Sequence, residues 1–411
     1  MRPDVTSLIP GGCQTYSKGP DRWPKNAPRR IDSAYGAWVT CEDGNAYVDC
    51  TSALGPILLG YGWGGKMTPQ GYQTGPIERA AIAQMTRGVS LSMPTEVEHE
   101  LAWRLIQLVP GAEMCRFGKN GNDVVNAAIR LARAHTGKSD VLRYCYHGHA
   151  DWAVESPMTG GVPEESRAST HRIRVADLDD LERHLKYRPV AAFVMEPIPT
   201  HEPYVPTDEF MGRVRELCDL YGAVWIMDEM VTGFRTGWPG AVANYSSHPD
   251  LWCGAKALGG GWPITALLGP AEIMKRLEQD VFYSTTFAGE AVSIAAALAC
   301  LNEMERVDAL AEVMKLGNQL HTIYAVHAMT NGLVDETNVI GYPSRPVFKW
   351  KHDDLKAAFL ETMVEHGVLC QGYINVTVAH GEVMDRLDKA IAAGMAAVAA
   401  RLNRDAEVRC A

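Results

Sequence analysis

Ala223-Val224-Trp225-Ile226-Met227-Asp228-Glu229-Met230-Val231-Thr232-Gly233-Phe234-Arg235 decides the fold. Its first five residues are apolar without interruption, and the run ends on a carboxylate. Such a run reads as a strand buried on both faces, with Asp228 at its C-terminal end. Met230 projects to the same side as Asp228. Further on stands Cys253-Gly254-Ala255-Lys256-Ala257-Leu258-Gly259-Gly260-Gly261-Trp262-Pro263, with no charge other than Lys256 between Asp250 and Glu272. An apolar loop of this kind depresses an amine's pKa and frees its lone pair, as a Schiff-base nucleophile requires.

Outward from this stretch, apolar strands alternate with helices. Strands are expected at Val141–Tyr146, Val190–Glu196, Val224–Asp228 and Ile264–Leu268, and helices at Asp177–Lys186 and Thr207–Tyr221. The alternation predicts an α/β domain with a mostly parallel central sheet and helices on both faces, its ligands at the carboxyl ends of the strands. Residues 1–34 read as irregular. Ala37–Cys41 and Ala46–Asp49 read as a hairpin around Glu42-Asp43-Gly44-Asn45. From about 330 the pattern shifts to a smaller α+β domain, with strands at Val347–Lys349 and Val376–Ala379 and helices at Asp354–His366 and Gly381–Leu402. The expected division is 1–60 (part of the small domain), 61–305 (large domain) and 306–411 (small domain).

A strand-end acid and a half-buried amine are the two protein groups that pyridoxal phosphate needs: a partner for its ring nitrogen and an amine for its aldehyde. Its phosphate needs backbone amides at a helix N-terminus. Asn120-Gly121-Asn122-Asp123 supplies them, with Asp123 expected to turn away and cap the helix. Tyr146-His147-Gly148-His149 follows a strand; the paired histidines suggest a metal, but no third ligand is near, and stacking of Tyr146 on a flat ring is the better reading. Tyr283-Ser284-Thr285-Thr286-Phe287-Ala288-Gly289 precedes a helix and offers a second anion site.

The totals bound what remains. The 411 residues exceed one core, and 46% hydrophobic with 21% charged residues is ordinary for a soluble enzyme. A net charge of -10 argues against nucleic acid or an anionic membrane surface as partner. Ten cysteines without a Cys-x-x-Cys pair argue against zinc and for free thiols in a reducing cytoplasm. The N-terminus shows no apolar signal core and no run long enough to span a membrane.

Together the motifs resemble the class III aminotransferases of pyridoxal-phosphate fold type I, with particular likeness to glutamate-1-semialdehyde aminomutases. They are Ile9-Pro10-Gly11-Gly12, Asp43-Gly44-Asn45, Arg130-Leu131-Ala132-Arg133, Tyr146–Asp151, Glu196-Pro197, Asp228–Arg235 and Lys256 with Gly259–Pro263, in family order over nearly the whole chain. The resemblance implies that Lys256 forms the Schiff base and moves the proton and that Asp228 pairs with the ring nitrogen. Met230 and Tyr146 would flank the ring, and Asn120, Gly121 and Asn122 would bind phosphate in place of the usual Ser-Gly-Thr. Glu196 would lie near the reacting group, and His201 would stand where the aminomutase has Asn. Thr286 would reach the cofactor phosphate of a second subunit, which implies a homodimer. The arginine expected after Pro-Gly-Gly for a substrate carboxylate is missing between Gly12 and Gly19. Lys18 is the candidate replacement in that segment, Tyr16, Lys18 and Leu54 are the substrate candidates, and glutamate-1-semialdehyde is disfavoured. The expected activity is transfer of an amino group from a donor to a carbonyl acceptor through Lys256. An intramolecular aminomutase or racemase on the same fold is the alternative, and a catalytically silent cofactor-binding protein the remote one.

Overall fold

The computed structural model describes residues 5–69, 71–200 and 203–410. The chain forms two compact units, one from residues 76–310 and one from 1–75 together with 311–411.

The larger unit holds a seven-stranded sheet. Its strands are β1 (Met114–Gly118), β2 (Asp140–Arg143), β3 (Thr170–Arg172), β4 (Val190–Met195), β5 (Val224–Glu229), β6 (Leu251–Gly254) and β7 (Thr265–Gly269). They lie in the order β1-β7-β6-β5-β4-β2-β3. β2 to β6 run parallel, and β7 is antiparallel to both β6 and β1. Every residue of β5 is buried, as its apolar run requires.

The two faces of β5 follow from strand alternation. Val224 and Ile226 join the core under the helix α1 (Gly121–Thr136), with Val124, Val125, Ala128, Leu131, Leu251 and Cys253. Trp225 turns the other way, where the Arg215 guanidinium of the helix Asp208–Tyr221 stands 5.8 Å from its ring centre. Helices therefore cover both faces. Asp228 shares the α1 face, and Glu229 the opposite one. The helix starts expected at Asp177 and Thr207 are caps: the Asp177 carboxylate accepts from the Asp180 N–H, and the Thr207 hydroxyl from that of Phe210.

The second unit pairs four strands in the order Ile31–Tyr35, Trp38–Cys41, Ala46–Asp49 and Val368–Leu369, the last parallel to its neighbour. A separate ladder joins Thr337–Ile340 to Val347–Trp350. Behind them Tyr324 stacks on Phe348 at 4.3 Å, and Phe359 meets both rings edge-on.

Several sequence expectations change. Ile31–Tyr35 is a strand inside the segment read as irregular. All five of its side chains are exposed, so no alternation marks it. Val376–Ala379 is not a strand: Val376 donates to Ser344 O and Val378 to Leu58 O, and Val378–Val383 is a 3-10 turn. The first boundary falls after Gly75 rather than after residue 60. The hairpin Lys66–Thr68/Gly71–Gln73 belongs with the first strands, because Tyr72 packs edge-on against Tyr35, whose hydroxyl donates to Gly65 O.

Candidate active site

Asp228 lies one residue from the end of β5 and is 3% exposed. Burying a carboxylate is costly unless its oxygens are hydrogen-bonded. Here Oδ1 accepts from the Met230 N–H at 3.1 Å, and Oδ2 lies 2.7 Å from His147 Nδ1. A carboxylate oxygen accepts, so the imidazole donates from Nδ1. Nε2 is itself buried without a hydrogen-bond partner. His147 is 2% exposed and holds the acid from below.

The register pairs Asp228 with Cys253 on β6, so Lys256 follows three residues beyond that partner. Cys253 is fully buried, and its thiol pKa is raised by burial and then by the Asp228 charge. Lys256 is partly buried and opens the 3-10 turn Lys256–Gly259 with φ +48, a left-handed conformation that costs a side-chain-bearing residue energy. The helix Ala291–Arg306 backs this turn. A Cβ on Gly260, at φ +57, would meet Cys300 Sγ at 2.7 Å, which is why glycine closes the turn.

On the same face, α1 points its N-terminus at the site. Asp123 Oδ2 accepts from the N–H groups of Lys119 and Asn120, at 3.0 and 2.8 Å. The acid is thus a cap, and the Gly121 and Asn122 N–H groups are left as the open donors of the first turn. A Cβ on Gly121 would meet Met230 Sδ at 2.9 Å, so Met230 lies against this turn.

Tyr146 follows β2 and keeps 60% of its surface exposed. Its phenol pKa is raised by partial desolvation and then by the Asp228 charge. Glu196 comes directly after Met195, which pairs with Met227, so it stands level with Asp228 on the adjacent strand. Its carboxylate accepts from the Thr200 N–H and hydroxyl, at 2.9 and 2.6 Å. Thr286 is exposed, in the turn before the helix Ala291–Arg306. His201 lies outside the described residues. Tyr16, Lys18 and Leu54 belong to the other unit. Tyr16 is exposed beneath the Arg22 guanidinium, and Leu54 sits in a left-handed turn, φ +49 to +72 over Ser52–Leu54.

The larger unit therefore brings together Asn120, Gly121, Asn122, Tyr146, Asp228 and Met230 around one end of the sheet, with Glu196 and Lys256 on adjacent connections. Two residues went unread in the sequence. One is His147, weighed only as a metal ligand. The other is Glu229, fully buried and accepting from the Thr232 hydroxyl, the Ala241 and Val242 N–H groups and the Trp252 indole. It fastens the loop that follows β5. Among the described residues no group of three or more His, Cys, Asp or Glu could hold a metal, and no helix is long and apolar enough to cross a membrane.

A strand-end acid held by a histidine, an amine from the neighbouring strand and an amide-lined helix start define a fold type I pyridoxal-phosphate enzyme. The chain belongs to the class III aminotransferases, whose family model matches residues 21–379. It is similar to the FumI protein of Sphingopyxis sp. MTA144, solved in its PLP internal aldimine form, at 28% identity and a TM-score of 0.87, covering 96% of this chain and 94% of that one. An omega-transaminase from Sphaerobacter thermophilus shares the fold at 24% identity and TM-score 0.85, with 96% of each chain covered. So does a glutamate-1-semialdehyde-aminomutase from Pseudomonas aeruginosa PAO1, at 22% identity and TM-score 0.79, covering 94% of this chain and 91% of that one.

The residues present fit pyridoxal phosphate. The Gly121 position leaves a cradle that a Cβ would fill against Met230, and its flanking amides face no protein acceptor. The donor set is an acid for a pyridine nitrogen, an amine for an aldehyde and N–H groups for a phosphate.

Proposed function

We propose that Asp228, Lys256 and the start of α1 carry amino transfer from an amino donor to a carbonyl acceptor in two half-reactions. The observation that carries this reading is the buried His147–Asp228 pair one strand away from Lys256. When bound, pyridoxal phosphate supplies an aldehyde for amines and a ring that accepts electrons from the substrate's α-carbon.

Asp228 would be the partner of the ring nitrogen, because His147 and the Met230 N–H fix its carboxylate and limit its reorientation. Lys256 would be the amine that holds the cofactor's aldehyde. As a free amine, its Nζ would be the base that takes a proton from the substrate and gives it back. Gly121, Asn122 and Asn120 would hold the phosphate, and Tyr146 and Met230 would flank the ring. Glu196, His201, Tyr16, Lys18 and Leu54 are the residues that the family resemblance proposes for contact with the substrate. A second copy of the chain completes the site through Thr286, and the nine cysteines whose side chains are described are free, which suits a reducing cytoplasm.

A panel of amino donors, with the cofactor spectrum as readout, tests the reading. Lys256→Ala is expected to abolish the amine-bound absorbance. Net amino transfer should require an added 2-oxo acid. A Lys256→Ala protein that keeps the wild-type spectrum would refute the assignment, and turnover of a single substrate without acceptor would identify an aminomutase or racemase instead.

A further inference from the structure

Asn122 does something at this site that a phosphate-binding threonine cannot. Its Oδ1 accepts from two consecutive backbone N–H groups, those of His149 at 3.1 Å and Ala150 at 3.0 Å. Both partners are donors, so the accepting atom must be the oxygen, and the orientation of the amide is settled. The loop is shaped to receive it. Gly148 has φ +104, and a Cβ there would meet Asn122 Oδ1 at 2.7 Å. One residue before this glycine is His147, whose imidazole holds Asp228. The Nδ2 group of Asn122 has no partner among the described residues, and it projects from the same helical turn as the open Gly121 and Asn122 N–H groups.

We propose that Asn122 is a positioning residue that couples the two ends of the cofactor site. Oδ1 ties the Tyr146–Ala150 loop to α1 and so sets His147 against Asp228. Nδ2 donates to a phosphate oxygen. A rigid amide spans both, so an anchored phosphate steadies the loop that orients the ring-nitrogen acid, and the coupling is reciprocal. This inference rests on the pyridoxal-phosphate reading above.

Two variants separate the atoms. Asn122→Asp keeps the acceptor for His149 and Ala150 but removes the donor and places a charge beside the phosphate. Asn122→Thr offers a hydroxyl to the phosphate but is too short to accept from both loop amides. Hydrogen exchange at the His149 and Ala150 amides and the Kd for pyridoxal phosphate are measured on each protein, with and without the cofactor.

In the wild type, the cofactor is expected to slow both amides about tenfold. Asn122→Asp should exchange like the wild type without cofactor and gain no slowing with it. Its Kd should be weaker by about tenfold or more at neutral pH. That deficit should shrink in acid as the new carboxyl protonates. Asn122→Thr should hold its Kd within about threefold while the two amides exchange about tenfold faster. Wild-type affinity in Asn122→Asp, wild-type exchange in Asn122→Thr, or joint loss of both properties in both variants would each overturn the proposal. A wild type that binds no pyridoxal phosphate overturns the functional reading and this inference together. Normal wild-type binding without the split between variants overturns this inference alone.

Discussion

Replacing His147 by Phe isolates what the imidazole does for Asp228. The ring is of similar shape, so the buried space stays filled while one donor disappears. Asp228 keeps the Met230 N–H on Oδ1 and loses the 2.7 Å contact on Oδ2. A hydrogen bond to a charged group contributes about 1.5–3 kcal/mol, so kcat/KM should fall about 10- to 150-fold. The fall should lie in kcat, because the acid matters most as electrons move into the ring. His147→Asn places an amide nitrogen near the position of Nδ1 and should recover part of the loss. The assay is steady-state turnover with the best donor from the panel, on protein saturated with cofactor and checked for folding by its thermal midpoint. A His147→Phe enzyme within about twofold of wild type, well inside the range expected for the lost bond, would refute the role assigned to the imidazole.

Three further outcomes are expected. Glu229→Gln sets an amide NH2 against a carboxylate's set of donors and should lower stability by about 1–3 kcal/mol, read as a lower urea midpoint; an unchanged midpoint would show that the loop after β5 does not depend on the charge. Burial alone would raise the Glu290 carboxyl, but the Ser293 hydroxyl and Lys119 together hold it below its ordinary 4.5. Its stabilisation is therefore complete above pH 4.5 and lost as pH falls through the folded value. The gap in thermal midpoint between wild type and Glu290→Gln should be widest near neutrality and close in acid; a gap that widens in acid would contradict the assignment. Gly121→Ala drives a methyl into Met230 and should weaken the Kd for pyridoxal phosphate about fivefold, from a strain of about 1 kcal/mol on a flexible side chain, whereas an unaltered Kd would separate Met230 from the phosphate turn.

Some of this site could be read along the chain and some could not. Asp228 was legible because an apolar run ending in an acid has few other uses, and α1 because an Asn-Gly-Asn-Asp start precedes an amphipathic helix. The reversed direction of β7 was not legible, since a short buried strand carries the same residues whichever way it runs. β3, Thr170–Arg172, is too short to show a period, and β1 carries a charged residue, Arg116, at its centre. His147 escaped because its partner is 81 residues away and only the fold brings the two together. The available clue was alternation after β2. If Tyr146 faces outward over a ring, its neighbour turns inward, beneath the end of β5. Glu229 was hidden for the same reason: it reads as a second strand-end acid, and only the return of Ala241 and Val242 gives it donors.

The strand order of the smaller unit has a consequence for how the protein is made. Its four-stranded sheet is closed by Val368–Leu369, where the Val48 N–H donates to Gly367 O and the Cys50 N–H to Leu369 O. Residues near the start of the chain thus wait for a partner translated more than three hundred residues later. The larger unit, contiguous from Pro76 to Leu310, needs nothing from that late segment for its own sheet. As the chain leaves the ribosome, the sheet bearing Asp228 and Lys256 can be complete while the first strands still lack their edge, which arrives only with Val368–Leu369.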